Sequence, residues 1–504
     1  MLFNSHEFLF LFFPLTLLGY WVCTRIAKKS AQGAGGRLPS VFLLAASLLF
    51  YVWNGPQYLP ILLGSILANY GIGSAMIRAD GNAVGKAAGK ASGMKSAAAG
   101  KKKWLFWGVC LNVGMLCFFK YWDLDGFFPL AVSFYTFSQI AFLMESFKGN
   151  VKNRDLLSYG LYVSYFPKMI QGPIALPEEM DRNGRRAGWE ECYRSLYLFV
   201  LGLFKKVLIA DTFGKAVTYG YGNLSALNSL DGVIVMLAYT LQLYFDFSGY
   251  CDMAMGISGM LGISLPVNFH SPYQATNIVE FWKGWHITLT RFFTKYVYIP
   301  LGGNRKGRAR TYINTLIIFF LSGIWHGTGI QFIVWGMMHG VLYVLTRAFM
   351  DTGIYRRIRG FMEKQRGSLR AIYHGMWVLI TFLYVNVAWV FFRAPSVKEA
   401  GGLLGTILGG SGGRVNWDLA GCFNLDEFWY VIKVLHLDRW QYAHYICMVF
   451  IFLAVFLVIF FGKTAADFVK AVRPRLVHSV VMAVLFVWSV LSVSGVSSFL
   501  YVNF

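Results

Sequence analysis

Charge is scarce in this chain: only 14% of its 504 residues are Asp, Glu, Lys or Arg, whereas 56% are hydrophobic. That is too little charge to cover the surface of a soluble domain of this size, and soluble classes are excluded on this ground alone. Acidic residues are scarcer than basic ones, 24 against 46, which leaves a formal charge of +22. Cysteine is sparse as well. The seven residues Cys23, Cys110, Cys117, Cys192, Cys251, Cys422 and Cys447 are scattered, odd in number and without a C-x-x-C pair. Neither a disulfide framework nor a zinc site is indicated, and no metal is expected. Also missing, in any suitable context, are the G-x-S-x-G elbow, the Walker A loop, the H-E-x-x-H pair and the dinucleotide-binding glycine fingerprint. Their absence removes the common soluble hydrolase, nucleotide and zinc-protease chemistries.

Long apolar runs are what the chain has instead. They fall at 7–24, 39–54, 57–77, 104–120, 127–147, 156–175, 192–212, 231–247, 249–265, 311–325, 328–349, 372–392, 444–462 and 477–499. Several are short or broken by Gly and Pro, which points to tilted or re-entrant segments, and run length predicts roughly 11 to 13 full spans. The first run lacks a basic segment before it and a small-residue cleavage site after it, so it reads as a span and not as a signal peptide. Aromatic residues make up 18% of the chain, as expected for helices with aromatic girdles in lipid. No repeat of fixed period is present, and 1–504 reads as one polytopic membrane domain.

The basic residues lie between the runs. Clusters occur at Arg25 to Arg37, Lys101 to Lys103, Lys148 to Arg154, Arg182 to Arg186, Arg305 to Arg310, Arg356 to Arg370 and Lys463 to Arg475. This is the pattern of cytoplasmic loops and not of a nucleic-acid-binding surface on a soluble fold. Placing the clusters inside predicts an extracytoplasmic N-terminus. It makes 78–103 a flexible basic cytoplasmic loop, and 393–443 an extracytoplasmic loop with short helices near 396–408 and 425–435.

Polar residues that do not suit lipid concentrate in 240–340. Asp246 and Asp252 sit in an apolar segment with Ser248 and Tyr250 between them. A carboxylate at membrane depth needs a polar cavity or a partner, and either direct chemistry or satisfaction of backbone groups at a helix break near Gly249 would account for the pair. The stretch Glu280 to Arg291 carries Lys283, Trp285 and His286 and is too charged to face lipid. After the basic turn with Arg305 and Lys306, an apolar helix leads to Trp325-His326-Gly327. A histidine there fits a general base, a proton relay or a structural contact; His286 fits catalysis or a polar contact, and His339 fits packing.

Taken in order, Tyr165 to Ile174 (with Gln171), Tyr244 to Asp252, Phe281 to Thr290, Tyr298 to Gly307, Gly323 to Gly327 and Val390 to Ala394 resemble the membrane-bound O-acyltransferase family. The opening Met1 to Ser5 and closing Phe499 to Phe504 extend the likeness to nearly the whole chain. The alginate O-acetyltransferase membrane-subunit branch is the most similar, with a mild departure around His286, where that branch usually has arginine and serine. The resemblance implies an all-α ring of tilted and re-entrant helices around a transmembrane tunnel. It implies that His326 is the essential histidine and His286 the second one, with Asp246, Ser248, Tyr250, Asp252, Trp285, Trp325 and Gln171 lining the tunnel or orienting substrate. No bound cofactor is implied. The donor would be acetyl-CoA or another thioester, its phosphates met by Lys283, Arg291, Arg305 or Lys306, with His326 reached through a water-accessible passage. A partner, an extracytoplasmic acyltransferase, would complete O-acetylation of a polysaccharide, docking at 393–443 with Trp417, Phe428, Trp429 and Trp440, unless these form an interfacial belt. Two alternatives stand beside this: D-alanyl transfer to a cell-wall polymer, against which Pro300 to Arg305 argues, and a proton-coupled transporter.

Overall fold

Backbone in lipid must satisfy its own hydrogen bonds, which long apolar runs do by coiling into helices. The computed structural model of the chain describes residues 1–29, 37–86, 91–122, 127–151, 155–180, 187–365, 367–410, 412–425, 429–440, 442–493 and 499–500, and among them there are helices and no strand. Among the described residues, seven helices are long and apolar enough to cross a membrane: Phe8–Lys29, Pro56–Arg78, Ala99–Tyr121, Ser229–Met260, Ile330–Met350, Ser368–Arg393 and Ala443–Phe461. Leu38–Asn54 and Leu476–Leu491 are shorter apolar helices. The chain is an all-α, multi-pass membrane protein.

Apolar runs and helices do not correspond one to one. The runs 231–247 and 249–265 share one 32-residue helix, Ser229–Met260. The run 192–212 is divided into Trp189–Phe204, a π-helical segment Lys205–Ala210 and the start of Asp211–Gly222. The expected break at Gly249 is absent. Glycine there serves a close approach: a Cβ would sit 2.8 Å from the Gly202 carbonyl oxygen, and one on Gly202 would sit 2.6 Å from that of Gly249. Two helices thus touch backbone to backbone, as small residues allow in membranes.

Ser229–Met260 is the centre of the molecule. Of its apolar stretch 72% is buried, against 44% or less for every other candidate span. The helices Trp189–Phe204, Asp211–Gly222, Ser368–Arg393 and Val397–Leu408 pack around it. Its Tyr250 and Met253 belong to a core built mainly on the N-terminal helices, and its Phe245 and Phe247 to a second core rich in tryptophan.

Of the two expected loops, 78–103 carries far more helix than the sequence indicates, and 393–443 holds the two expected short helices and one more. The stretch 78–103 is helical up to Lys86 and again from Ala91, because its alanines and lysines are good helix formers. The 393–443 segment holds Val397–Leu408, Trp417–Gly421 and Trp429–Val434. Trp417 stacks on His444 at 4.2 Å and Trp440 is exposed. Phe428, the side chain of Trp429, the 152–154 part of one basic cluster, Arg182 to Arg186 and Tyr501 to Phe504 lie outside the described residues.

Candidate active site

His326 is the last residue of the helix Arg308–His326, which stops because Gly327 turns fully extended. The end of a helix leaves carbonyls without partners. Here two of them are met by consecutive residues of another helix: the Lys120 ammonium donates to the Trp325 carbonyl, and the Tyr121 hydroxyl to that of Ile324 at 2.8 Å. Glycines bring the next helix, Ile330–Met350, against this one; a Cβ on Gly323 would lie 2.6 Å from the Phe332 carbonyl oxygen, and one on Gly336 2.4 Å from that of Phe319. The imidazole is held between aromatic rings, with centroids of Trp325 at 4.5 Å, Phe392 at 4.9 Å and Trp335 at 5.0 Å.

His286 is buried at the junction of Ile278–Gly284 and Ile287–Phe293, in a left-handed conformation (φ 44°, ψ 52°). A non-glycine residue there is strained, and the surroundings hold it. Its Nδ1 lies 3.1 Å from Asn268 Oδ1, an oxygen that also accepts from the Thr288 backbone N–H at 3.1 Å and the Thr288 hydroxyl at 2.9 Å. A backbone N–H can only donate, so the Asn268 atom is an acceptor and Nδ1 carries the proton. Nε2 is therefore the basic nitrogen; it is buried and has no hydrogen-bond partner among the described residues. The Trp325 ring neighbours both histidines, 6.4 Å from His286 and 4.5 Å from His326.

Beside these histidines runs a cavity of about 280 Å³. One wall is the His326 helix from Thr311 to Ser322, a length of roughly 16 Å at 1.5 Å per residue. Lys283, Asn304 and Arg347 line it, and Trp282 and Phe319 are among its apolar lining. His326 is not on its wall. His326 is only 3% exposed, and Ser322, one helical turn away, is the lining residue nearest to it along the helix. The open passage expected at this ring is filled by aromatic side chains.

The other sequence candidates divide by position. Lys283 reaches the cavity. Arg291 does not line it; its guanidinium pairs with Glu179 through contacts of 2.6 and 2.9 Å and donates to the Ile174 carbonyl. Arg305 and Lys306 are exposed on the turn that contributes Asn304 to the wall. Asp246 and Asp252 face lysines: Lys206 is 2.8 Å from Asp246 and Lys205 is 2.6 Å from Asp252. Trp285 packs against Trp389 at 5.0 Å, within the tryptophan cluster that includes Trp335. Tyr250 is sandwiched by Phe3 and Phe499 at 4.8 and 5.0 Å. The Ser248 hydroxyl and both side-chain amide atoms of Gln171 are buried without a hydrogen-bond partner among the described residues.

Sequence reasoning missed four basic residues. Lys205 and Lys206 form the ion pairs just described, and two adjacent lysines inside an apolar run were the available signal. Lys120 caps the His326 helix. Arg347 joins the cavity from the last turn of its helix, and nothing in its local sequence marks it out.

Comparison with known proteins gives a consistent picture. The sequence model described as "MBOAT, membrane-bound O-acyltransferase family" matches residues 94–388. A peptidoglycan O-acetyltransferase of Helicobacter pylori is 37% identical over 446 residues, covering 79% of this chain and 78% of that protein. A probable alginate O-acetylase of Pseudomonas putida is 32% identical over 436 residues, covering 81% and 80%. A teichoic acid D-alanyltransferase of Bacillus subtilis is 32% identical over 276 residues, covering 52% and 67%.

Proposed function

Because the chain belongs to the membrane-bound O-acyltransferase family, we propose that it moves an acetyl group from a cytoplasmic thioester such as acetyl-CoA to an extracytoplasmic polysaccharide, with His326 as general base. The observation that carries this reading is the cavity along the His326 helix. Its cationic residues, Lys283 and Arg347, suit a phosphate-bearing donor, and its remaining length suits the slender arm that ends in a thioester. Asn304 on its wall belongs to the basic turn that the charge rule assigns to the cytoplasm. The protein then sits in the cytoplasmic membrane with its N-terminus outside.

The chemistry is balanced within the site. The acceptor hydroxyl gives its proton to the imidazole of His326 as its oxygen bonds to the acyl carbon. The carbon–sulfur bond breaks, and the leaving thiolate takes that proton back. A water-poor aromatic surround strengthens each of these electrostatic interactions. His286, its tautomer set by Asn268, presents Nε2 as a second acceptor beside Trp325 and orients the incoming hydroxyl.

The relatives matched over about four-fifths of the chain are named for O-acetylation, which supports acetyl over D-alanyl transfer. The higher identity to the peptidoglycan enzyme supports a cell-wall glycan as the acceptor, presented to this site by an extracytoplasmic acyltransferase that docks at the 393–443 segment through Trp417 and Trp440. The test is base-labile acetate on purified cell wall and on exopolysaccharide from producing cells. His326→Ala should lower it by about 100- to 10,000-fold with normal amounts of protein in the membrane. Unchanged acetate on both polymers would overturn the assignment.

A further inference from the structure

A cavity that stops one turn short of a buried imidazole leaves a short stretch for the transferred group to cross, and indoles wall that stretch. Trp282 lines the cavity, and its ring lies 5.2 Å from Phe319 and 6.0 Å from Trp335. Trp335 is 5.0 Å from His326, and Trp325 stands 4.5 Å from the same imidazole. All three indoles are more than nine-tenths buried, and none of their N–H groups has an acceptor among the described residues. Buried indole N–H groups ordinarily find partners. Three without one, two of them beside His326 and the third between the cavity and Trp335, suit a ligand that brings its own acceptor, and a thioester carbonyl oxygen is such a group. The route between the two helices beside them is shut by backbone contact at Gly323 and Gly336.

We propose that Trp282 and Trp335 are the acyl-length filter of this enzyme and restrict the transferred group to acetyl. The proposal rests on the acyl-transfer reading above and narrows its donor class to short-chain thioesters. To reach an oxygen activated by His326, the acyl carbon must pass the two indoles with its chain lying against them. A two-carbon group needs one ring to swing aside. Every added methylene must be forced into space those rings already fill, and overpacking of this kind is penalised. Discrimination by one methylene in a fitted pocket runs to about 10- to 200-fold.

The experiment supplies acetyl-, propionyl- and butyryl-CoA, labelled in the acyl carbonyl, to membranes from cells making the full chain, and follows label into polymer. Wild type should incorporate acetyl at least about tenfold faster than propionyl, and butyryl more slowly still. Trp282→Leu and Trp335→Leu should raise the propionyl-to-acetyl ratio about tenfold or more, and Trp282→Phe and Trp335→Phe should raise it less. Butyryl accepted by wild type as readily as acetyl, or Leu variants active with an unchanged ratio, would overturn the filter. If the Leu variants are inactive, the Phe variants decide, and an unchanged ratio in both counts against it. Failure of the underlying reading has a different signature: wild type then incorporates no label from any of the three thioesters beyond the His326→Ala background.

Discussion

Lys120 is the residue whose importance could not be anticipated, and it acts on His326 without touching the imidazole. The two carbonyls that precede His326 in the chain would otherwise be among the orphan acceptors at a helix end. A cation there both satisfies the Trp325 oxygen and complements the negative end of the helix dipole. Removing it frees the last turn to shift, and a misplacement of about 1 Å can reduce catalysis by about 100-fold. Lys120→Met is therefore expected to reduce acetyl incorporation at least tenfold at equal protein level, mainly in kcat, with Lys120→Arg restoring most of the rate. Equal loss in both variants would show that the ammonium has no such positioning role. The histidines themselves were legible in the sequence, since an ionisable residue beside glycines in an apolar segment stands out. Lys120 was not, because its meaning depends on a helix end some two hundred positions away.

Among the elements, the contact between Trp189–Phe204 and the central helix turns on a glycine for which the sequence leaves two uses open. Glycine in a membrane segment either breaks a helix or lets another approach, and the sequence around Gly249 does not separate the two. The partner, Gly202, decides the matter: the two backbones meet at 2.6 to 2.8 Å from where side-chain carbons would stand. Gly249→Ala should force these helices apart and lower thermal stability in detergent by about 1–3 kcal/mol, read as a lower melting temperature. Gly249→Ala with unaltered melting would mean that the approach is not tight in the protein. The same limitation explains the 78–103 stretch, where composition suggested a solvated loop and the intrinsic preference of alanine and lysine for helix prevailed.

Across the whole molecule, fold class followed from composition because apolar backbone in lipid has few solutions, whereas the wiring of buried charge did not. Asp246 was expected to need a partner, and the partner is Lys206, forty residues earlier, which also contacts Asp211 at 2.9 Å. The Leu500 backbone N–H donates to the second Asp246 oxygen at 3.0 Å, and the Lys206 ammonium lies 4.7 Å from the Phe499 ring centroid. One buried charge cluster thus joins the π-helical segment, the central helix and residues 499–500. Lys206→Met strands the Asp246 carboxylate among apolar neighbours, and breaking a buried pair from one side costs about 3–5 kcal/mol. The yield of monodisperse protein after detergent extraction should collapse. Lys206→Met combined with Asp246→Leu removes both charges, and because replacing a buried pair by apolar residues is often neutral, much of that yield should return. A double variant no better than the single one would mean that the cluster holds the C-terminal residues through Asp246 itself, with the Leu500 N–H as the bond that matters.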